Sequence, residues 1–333
     1  MKSQRDGGGA GVPPAVSIVV PLYNKGAEVR RAIASIMAQT INSYEVVVVD
    51  DGSTDEGPAV VEAVGDPRIR LIRQQNAGVS EARNRGIREA RGDLIAFLDA
   101  DDEWEPDFLE TVLRLRERFP QCSVYATGYT IVTPDGSMRK ALLRGMDLKD
   151  GEGVLRRYFR VAAKSDPPTH ASAVAASKSA LLSVGGFPVG VTTGEDLLTW
   201  ARLASRYRIA YCKQAKARFW GPMTMEARPG RTPQEPDLVA QELKMLGEAL
   251  DQRSKRGLRQ YLSHWHRMRG VIYLHLGNTE KARSELLMAL RDSLNVRAAA
   301  LLLSSLLLGR NAARLHAVVS RAISPKWKPP LHG

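Results

Sequence analysis

Cysteine is nearly missing from this chain of 333 residues: Cys122 and Cys212 are the only two, far apart and inside apolar stretches. That spacing neither clamps zinc nor staples a small secreted scaffold, so a reducing compartment is the default expectation. Long hydrophobic runs are missing too. The longest apolar-rich stretch, Ala298 to Leu308, has 11 residues including two serines, short of the roughly 20 that span a bilayer. Met1 to Pro14 is polar and Gly-rich with no apolar core of signal-peptide length, which predicts a flexible N-terminus over 1–14 and a cytoplasmic location. What is present, 44% apolar and 25% charged residues, is ordinary globular composition of a length suited to about two domains, and it excludes disorder and collagen.

The net charge of +12 is unevenly placed. Residues 251–333 hold 15 Lys and Arg against 4 Asp and Glu, whereas residues 1–250 hold 33 against 32. The surplus belongs to the tail.

The first half alternates between strand and helix patterns. Val16 to Val20 is an apolar run ending at Pro21, and Val29, Ile33, Ile36 and Met37 follow at helical spacing. Tyr44 to Val49, Ile69 to Ile72 and Leu94 to Leu98 read as further strands, with helices at Pro58 to Val64 and Val79 to Ala90. Such intervals suit crossover units of a parallel sheet. Polar clusters follow each strand: Pro21-Leu-Tyr23-Asn24, Asp50-Asp51-Gly-Ser-Thr-Asp55, Gln75-Asn76-Ala-Gly78 and Asp99-Ala100-Asp101-Asp102. All four are expected along one edge, where open α/β sheets bind ligands.

After Asp102 the alternation loosens. A helix is expected over Pro106 to Phe119, a strand over Ser123 to Val132 and a turn at Thr133-Pro-Asp-Gly136, while residues 137–190 carry little readable pattern. Leu197, Trp200, Ala201 and Ala204 restore helical spacing directly after Gly194-Glu195-Asp196. Residues 223–236, rich in Pro, read as a linker, and 237–333 as a basic helical accessory domain. Gly270, Tyr273, Ala282, Leu286 and Ala289 fall at the offsets of one tetratricopeptide-like unit, too few for an array.

Asp99-Ala100-Asp101-Asp102 is the sharpest chemical signal. Three carboxylates at a strand end repel one another, and a hard divalent cation would compensate them. A calcium loop of EF-hand type, with Glu110 at its twelfth position, fails because Trp104 stands at the sixth, where Gly is required. An acidic turn capping the next helix is the alternative that needs no metal. The Asp50–Asp55 cluster alone is equally good as a turn and cap signal.

Together, in order and spacing, Pro21-Leu-Tyr-Asn24, Asp50-Asp51-Gly-Ser-Thr-Asp55, Asn76-Ala-Gly-Val-Ser80 with Arg83-Asn84, the acidic loop, Gly185-Gly-Phe187 and Glu195-Asp196 resemble family 2 glycosyltransferases of the GT-A fold, over about Val16 to Trp220. The resemblance implies an α/β GT-A domain, mainly parallel sheet flanked by helices, over 15–222, followed by a small all-α C-terminal domain. It implies inverting transfer of a sugar from a UDP- or dTDP-sugar to a hydroxyl of a saccharide or lipid-linked saccharide acceptor, in bacterial surface polysaccharide synthesis, with Mn²⁺ or Mg²⁺. Carried over residue by residue, Asp51 accepts the imide N–H of the base, with Pro21, Tyr23, Asn24, Asn76, Arg83, Asp99 and Ala100 around the donor. Asp101 and Asp99 hold the metal, with Asp102 in support. Asp196 is the implied base and Glu195 its orienting partner; two acids at a helix start would also simply complement its dipole. Pro188-Val-Gly190, where many relatives carry acids, leaves the acceptor side open.

His170, beside Pro167-Pro168, stays outside the metal set as a loop residue, Trp104 is assigned to the core, and Trp220 is left unassigned. The basic helices with Leu301-Leu-Leu303 and Leu306-Leu-Leu308 suit either peripheral contact with the inner face of a cell membrane or a soluble packing role. No motif with interleaved aromatics points to nucleic acid. A dehydrogenase would need a Gly-x-Gly-x-x-Gly turn, which Pro21-Leu-Tyr-Asn-Lys-Gly26 is not. The non-enzymatic alternative is a nucleotide-sugar-binding or scaffold protein on the same fold.

Overall fold

The computed structural model describes residues 13–133, 135–221 and 232–309. Most of the expected N-terminal arm, most of the expected linker and residues 310–333 of the tail lie outside the described residues. The β-branched runs form β1 (Val16–Leu22), β2 (Tyr44–Asp50), β3 (Ile69–Arg73) and β4 (Leu94–Phe97). Every residue of β1 and β2 is buried, as strands covered on both faces must be. They pair in parallel in the order β3-β2-β1-β4, with Leu22 opposite Asp50 and Asp50 opposite Arg73. This register brings the carboxyl ends of the strands into line.

The crossovers are α1 (Gly26–Met37), α2 (Gly57–Glu62) and α3 (Val79–Glu89). Helix α1 buries Val29, Ala32, Ile33 and Ile36, the apolar stripe of the sequence. Helix α3 lies close on β1 at Gly86, where a Cβ would stand 2.3 Å from a Val19 methyl.

Beyond Asp102 the sheet becomes mixed. The chain continues through β5 (Glu103–Trp104), α4 (Phe108–Arg118), β6 (Val124–Val132), β7 (Met138–Lys140), β8 (Glu152–Val154), α5 (Tyr158–Ala162), β9 (Val174–Ser177), α6 (Lys178–Ser183), α7 (Glu195–Arg206) and β10 (Ile209–Trp220). The sheet order continues β4-β9-β6-β10-β5, with β7 beside β6 and β8 beside β10. Strand β9 runs antiparallel to both β4 and β6, and β6 and β10 are parallel. The crossover rhythm of the first half is lost here because β9 is inserted between strands from distant parts of the chain.

The C-terminal helices are α8 (Leu238–Glu248), α9 (Gln252–His275), α10 (Thr279–Asp292) and α11 (Val296–Leu308). The tetratricopeptide-like offsets correspond to one packed pair: Gly270 of α9 faces Leu286 of α10, and Ala282, Leu286 and Ala289 are fully buried. Val239, Leu243, Tyr261 and Trp265 share a core with Phe97, Phe187 and Trp200, so α8 and α9 are fastened to the sheet layer. Among the described residues no helix is long and apolar enough to cross a membrane.

Candidate active site

The site begins where the strands end. Asp51 follows β2 and is 3% exposed; its carboxylate accepts from Gln74 Nε2 at 2.8 Å and from the backbone N–H groups of Ala77 at 2.9 Å and Gly78 at 2.8 Å. It thereby pins the 74–78 loop, which carries the exposed Asn76, onto the end of β2. Asn24, at φ 49°, donates its backbone N–H to Ser53 Oγ and accepts from the Thr54 N–H at 2.8 Å, tying the first loop to the second. Tyr23 beside it is 49% exposed. Pro21 and Ala100 are buried, so what they offer a ligand is backbone.

Arg83 is the residue that joins distant parts of the chain. Its side chain is 4% exposed; Nη2 lies 2.7 Å from Asp99 Oδ1 and Nη1 lies 3.3 Å from Glu195 Oε1. Burial alone would depress its pKa, but the two carboxylates more than reverse this and hold it above its ordinary value. Burial likewise opposes ionisation of Asp99, and Arg83 overcomes it, leaving that carboxyl below its ordinary range. Next to Arg83, Asn84 clasps Phe187 by two hydrogen bonds of 2.8 Å, which brings the Gly185-Gly-Phe187 segment onto α3. The Arg83 guanidinium stands 5.0 Å above the Phe187 ring.

Asp196 opens α7 beside Glu195. Burial first and the Glu195 charge second push its carboxyl up to about 7, with Arg83 partly offsetting them. Its Oδ1 accepts from the Leu197 N–H at 2.7 Å. Gly194 precedes these acids at φ 82°, and a Cβ there would lie 2.6 Å from the Trp265 ring. The turn that presents the acids is thus moulded against α9.

The acidic loop divides its roles. Asp101 is partly exposed and pairs with Lys25 Nζ at 2.8 Å, while its backbone carbonyl accepts from Arg31 Nη2. Asp102 is 1% exposed, accepts from Ser172 Oγ and from the Trp220 backbone N–H at 3.0 Å, and has its carboxyl held well above the usual range by burial, then by Asp99 and Asp101. Three carboxylates in an all-oxygen donor set fit a hard divalent cation. Asp101 and Asp99 have the exposure to reach one; both oxygens of Asp102 already accept protein donors.

Several residues here carried no signal in the sequence. Ser172 donates to Asp102, accepts from the Asp99 N–H at 3.1 Å, and its carbonyl accepts from Trp104 Nε1. It lies in the stretch without periodicity, so only the fold reveals it. His170, expected as a loop residue outside the metal set, has Nδ1 4.0 Å from Asp102 Oδ2 and packs on Tyr129 and Phe219. Trp104 is core, 4% exposed and stacked on Phe108. Trp220 forms the lip beside Asp102, under the Arg31 guanidinium.

A second acidic group, Asp237, His266 and Glu285, has ligand atoms within 4.8 Å of one another. The buried Arg269 lies between two of them, with Nε 3.1 Å from Asp237 and 2.6 Å from Glu285. The cation of that cluster is a side chain.

Residues 17–174 match the Glycosyl transferase family 2 model. The chain is 44% identical over 103 residues to a putative glycosyltransferase, EpsH, of Bacillus subtilis, and 50% identical over 101 residues to the succinoglycan biosynthesis protein ExoO of Rhizobium meliloti. Each match covers 30% of this chain, and the matched parts span about 30% of those relatives. Among solved structures it is similar to S. aureus TarS 1-349 in complex with UDP-GlcNAc, at TM-score 0.64 and 18% identity over 92% of this chain and 91% of that one. It is also similar to the mannosyltransferase PcManGT from Pyrobaculum calidifontis in complex with GDP-Man and Mn²⁺, at TM-score 0.52 and 20% identity over 94% and 87%. At these identities the structural likeness is one of fold.

Proposed function

We propose, from the match of residues 17–174 to the Glycosyl transferase family 2 model, that this glycosyltransferase transfers a sugar, with inversion, from a UDP- or dTDP-sugar to a hydroxyl of a saccharide or lipid-linked saccharide, in synthesis of a bacterial surface polysaccharide. The observation that carries this reading is the Arg83 bridge, which sets Asp99 at the end of β4 and Glu195 at the start of α7 around one guanidinium. Asp196, next to that bridge, is an acid whose proton affinity matches its task. A base working near neutrality must be ionised there yet basic enough to accept a proton, and a pKa of about 7 meets both demands.

The proposed sequence of events uses the chain's own groups. The base ring of the donor lies by Tyr23, with its imide N–H directed to Asp51; the diphosphate lies by the acidic loop. Asp99 and Asp101 would hold Mn²⁺ or Mg²⁺ there, with Asp102 supporting through Ser172, and the bound ion supplies Lewis-acid stabilisation of the departing diphosphate. Asp196 takes the proton of the acceptor hydroxyl. The new C–O bond forms on the face of the anomeric carbon opposite the breaking bond to the diphosphate, which leaves as nucleoside diphosphate. Glu195, anchored by Arg83, fixes the turn that aims Asp196. The UDP-GlcNAc of the TarS complex and the Mn²⁺ of PcManGT support this choice of donor and ion.

Peripheral membrane contact belongs to the same proposal. Helix α11 leaves Leu303, Leu306 and Leu307 at 60%, 56% and 82% exposure at the head of a basic tail. A panel of uridine and thymidine diphosphate sugars, tested by thermal shift and by release of nucleoside diphosphate with and without Mn²⁺, examines the central claim. Metal-dependent stabilisation with slow donor hydrolysis is expected. Donor binding without turnover in the presence of candidate acceptors would support the scaffold alternative, and absence of both would end the transferase reading.

A further inference from the structure

A cavity of about 550 Å³ lies away from the acidic loop, between the 142–166 segment and the turn from α10 to α11. Its charged lining is one-sided. Arg144, Lys164, Arg267 and Arg297 line it with His264, and the only acid in the lining, Asp166, is engaged by Arg139 at 2.6 Å and by the Leu142 N–H. No ion pair to Arg144, Lys164, Arg267 or Arg297 is present among the described residues. Desolvation and the Arg297 charge lower Arg267 to about 10, and burial with Arg267 and Arg297 lowers His264 to about 3. Arg144, Lys164 and Arg297 are exposed and screened by solvent, whereas Arg267 is partly buried beside His264 with no carboxylate partner among the described residues, which favours an anion from outside the chain.

We propose that this cavity binds an organic phosphate, a phosphorylated polyol or sugar whose phosphate lies among Arg267, Arg297 and Lys164 and whose hydroxyls meet Gln260. Arginine forks and ammonium groups suit phosphate oxygens. The volume falls in the range of about 300–1,000 Å³ typical of small-molecule pockets and exceeds the need of a bare ion, which argues for the organic part. Asn295 caps α11, so the positive end of that helix adds to the same field. The ligand could reach the cavity as a soluble phosphomonoester or as a phosphodiester segment of a polymer.

The test uses the full chain labelled with ¹³C-histidine, His264 being assigned through His264→Asn. Glycerol 3-phosphate represents the monoester, and the phosphodiester of two glycerols represents the polymer. Either one should move the His264 titration upward and raise the melting temperature. Arg267→Gln combined with Arg297→Gln should weaken binding at least about tenfold, as loss of charge-assisted hydrogen bonds does, while Asp101→Asn binds as the parent does. The exposed single change Arg297→Gln provides a weaker version that does not disturb packing. Tighter binding of the monoester marks a soluble ligand, and tighter binding of the diester a polymer segment. If neither ligand binds at millimolar concentration, or if binding survives the double change, or if it is lost in Asp101→Asn, the cavity is not the site.

Discussion

Four helices that open onto the candidate site and the four helices of the C-terminal layer begin in different ways. Helices α8, α9, α10 and α11 open with Asp237, Asp251, Asn278 and Asn295, and each side chain accepts from a backbone N–H of the first turn. Helices α1, α2, α3 and α7 have no such cap from their N-cap side chains. Where a helix only has to hold together, a local side chain satisfies its first turn. At the candidate site, acids of another loop serve α1 and α3, where Asp55 accepts from the Gly26 N–H and Asp51 from the Gly78 N–H, while α2 takes a bond to its Gly57 N–H from Asp55 just ahead of it. The starts of α1 and α3 thus depend on contacts between distant loops, and the starts of the C-terminal helices on neighbours in the chain.

That contrast can be broken by substitutions that separate activity from stability. Asp196→Asn should show the largest effect, lowering transfer by about 10²–10⁴ while donor affinity stays. Its stability should hold or rise. The folded state keeps the Asp196 proton up to about 7, whereas the ordinary carboxyl releases it near 3.8, so ionisation across that window weakens the native state, and Asn removes this loss. In the parent, kcat/KM should fall about tenfold per pH unit below that value, with a plateau above it. An unchanged profile in Asp196→Asn would remove the base assignment.

Arg83→Gln should damage both properties. It leaves Asp99 and Glu195 without their shared cation, and losing one partner of a buried pair costs about 3–5 kcal/mol, read by urea unfolding. Gly194→Ala probes the joint between the two regions: the left-handed backbone and the Trp265 ring predict a loss of about 1–3 kcal/mol together with a lower kcat. Asn278→Ala should do least, costing about 1 kcal/mol through the lost cap of α10 with turnover unchanged. If Asn278→Ala reduced turnover at constant stability, the distinction between the two regions would fail.

Much of this architecture was legible beforehand because it rests on short-range pattern. Strands β1 to β4 stand where β-branched runs predicted them, and the apolar stripe of α1 faces the core as its spacing required. Residues 137–190 carry the weakest pattern, for a physical reason. Strand β9 is only Val174–Ser177, wedged antiparallel between β4 and β6, and has no alternation of its own to read. With it came Ser172 and His170, whose places beside Asp102 follow from that wedge. The acidic loop pointed to a cation, but which acid is open and which is satisfied depended on Ser172 and on Trp220, 118 positions from Asp102.

The amino-acid sequence by itself determined the strand and helix alternation, the polar clusters that follow each strand, the acids Asp51, Asp99, Asp101 and Asp196, and the charge surplus of the tail, since all of these are properties of neighbours along the chain. Only the tertiary structure decided that Arg83 joins Asp99 to Glu195, that Asp102 is shut in while Asp101 stays open, that Gly194 is pressed against Trp265, and that cations from distant segments line one cavity. Those outcomes depend on burial and on distances between groups far apart in the chain, and burial sets what an isolated charge costs.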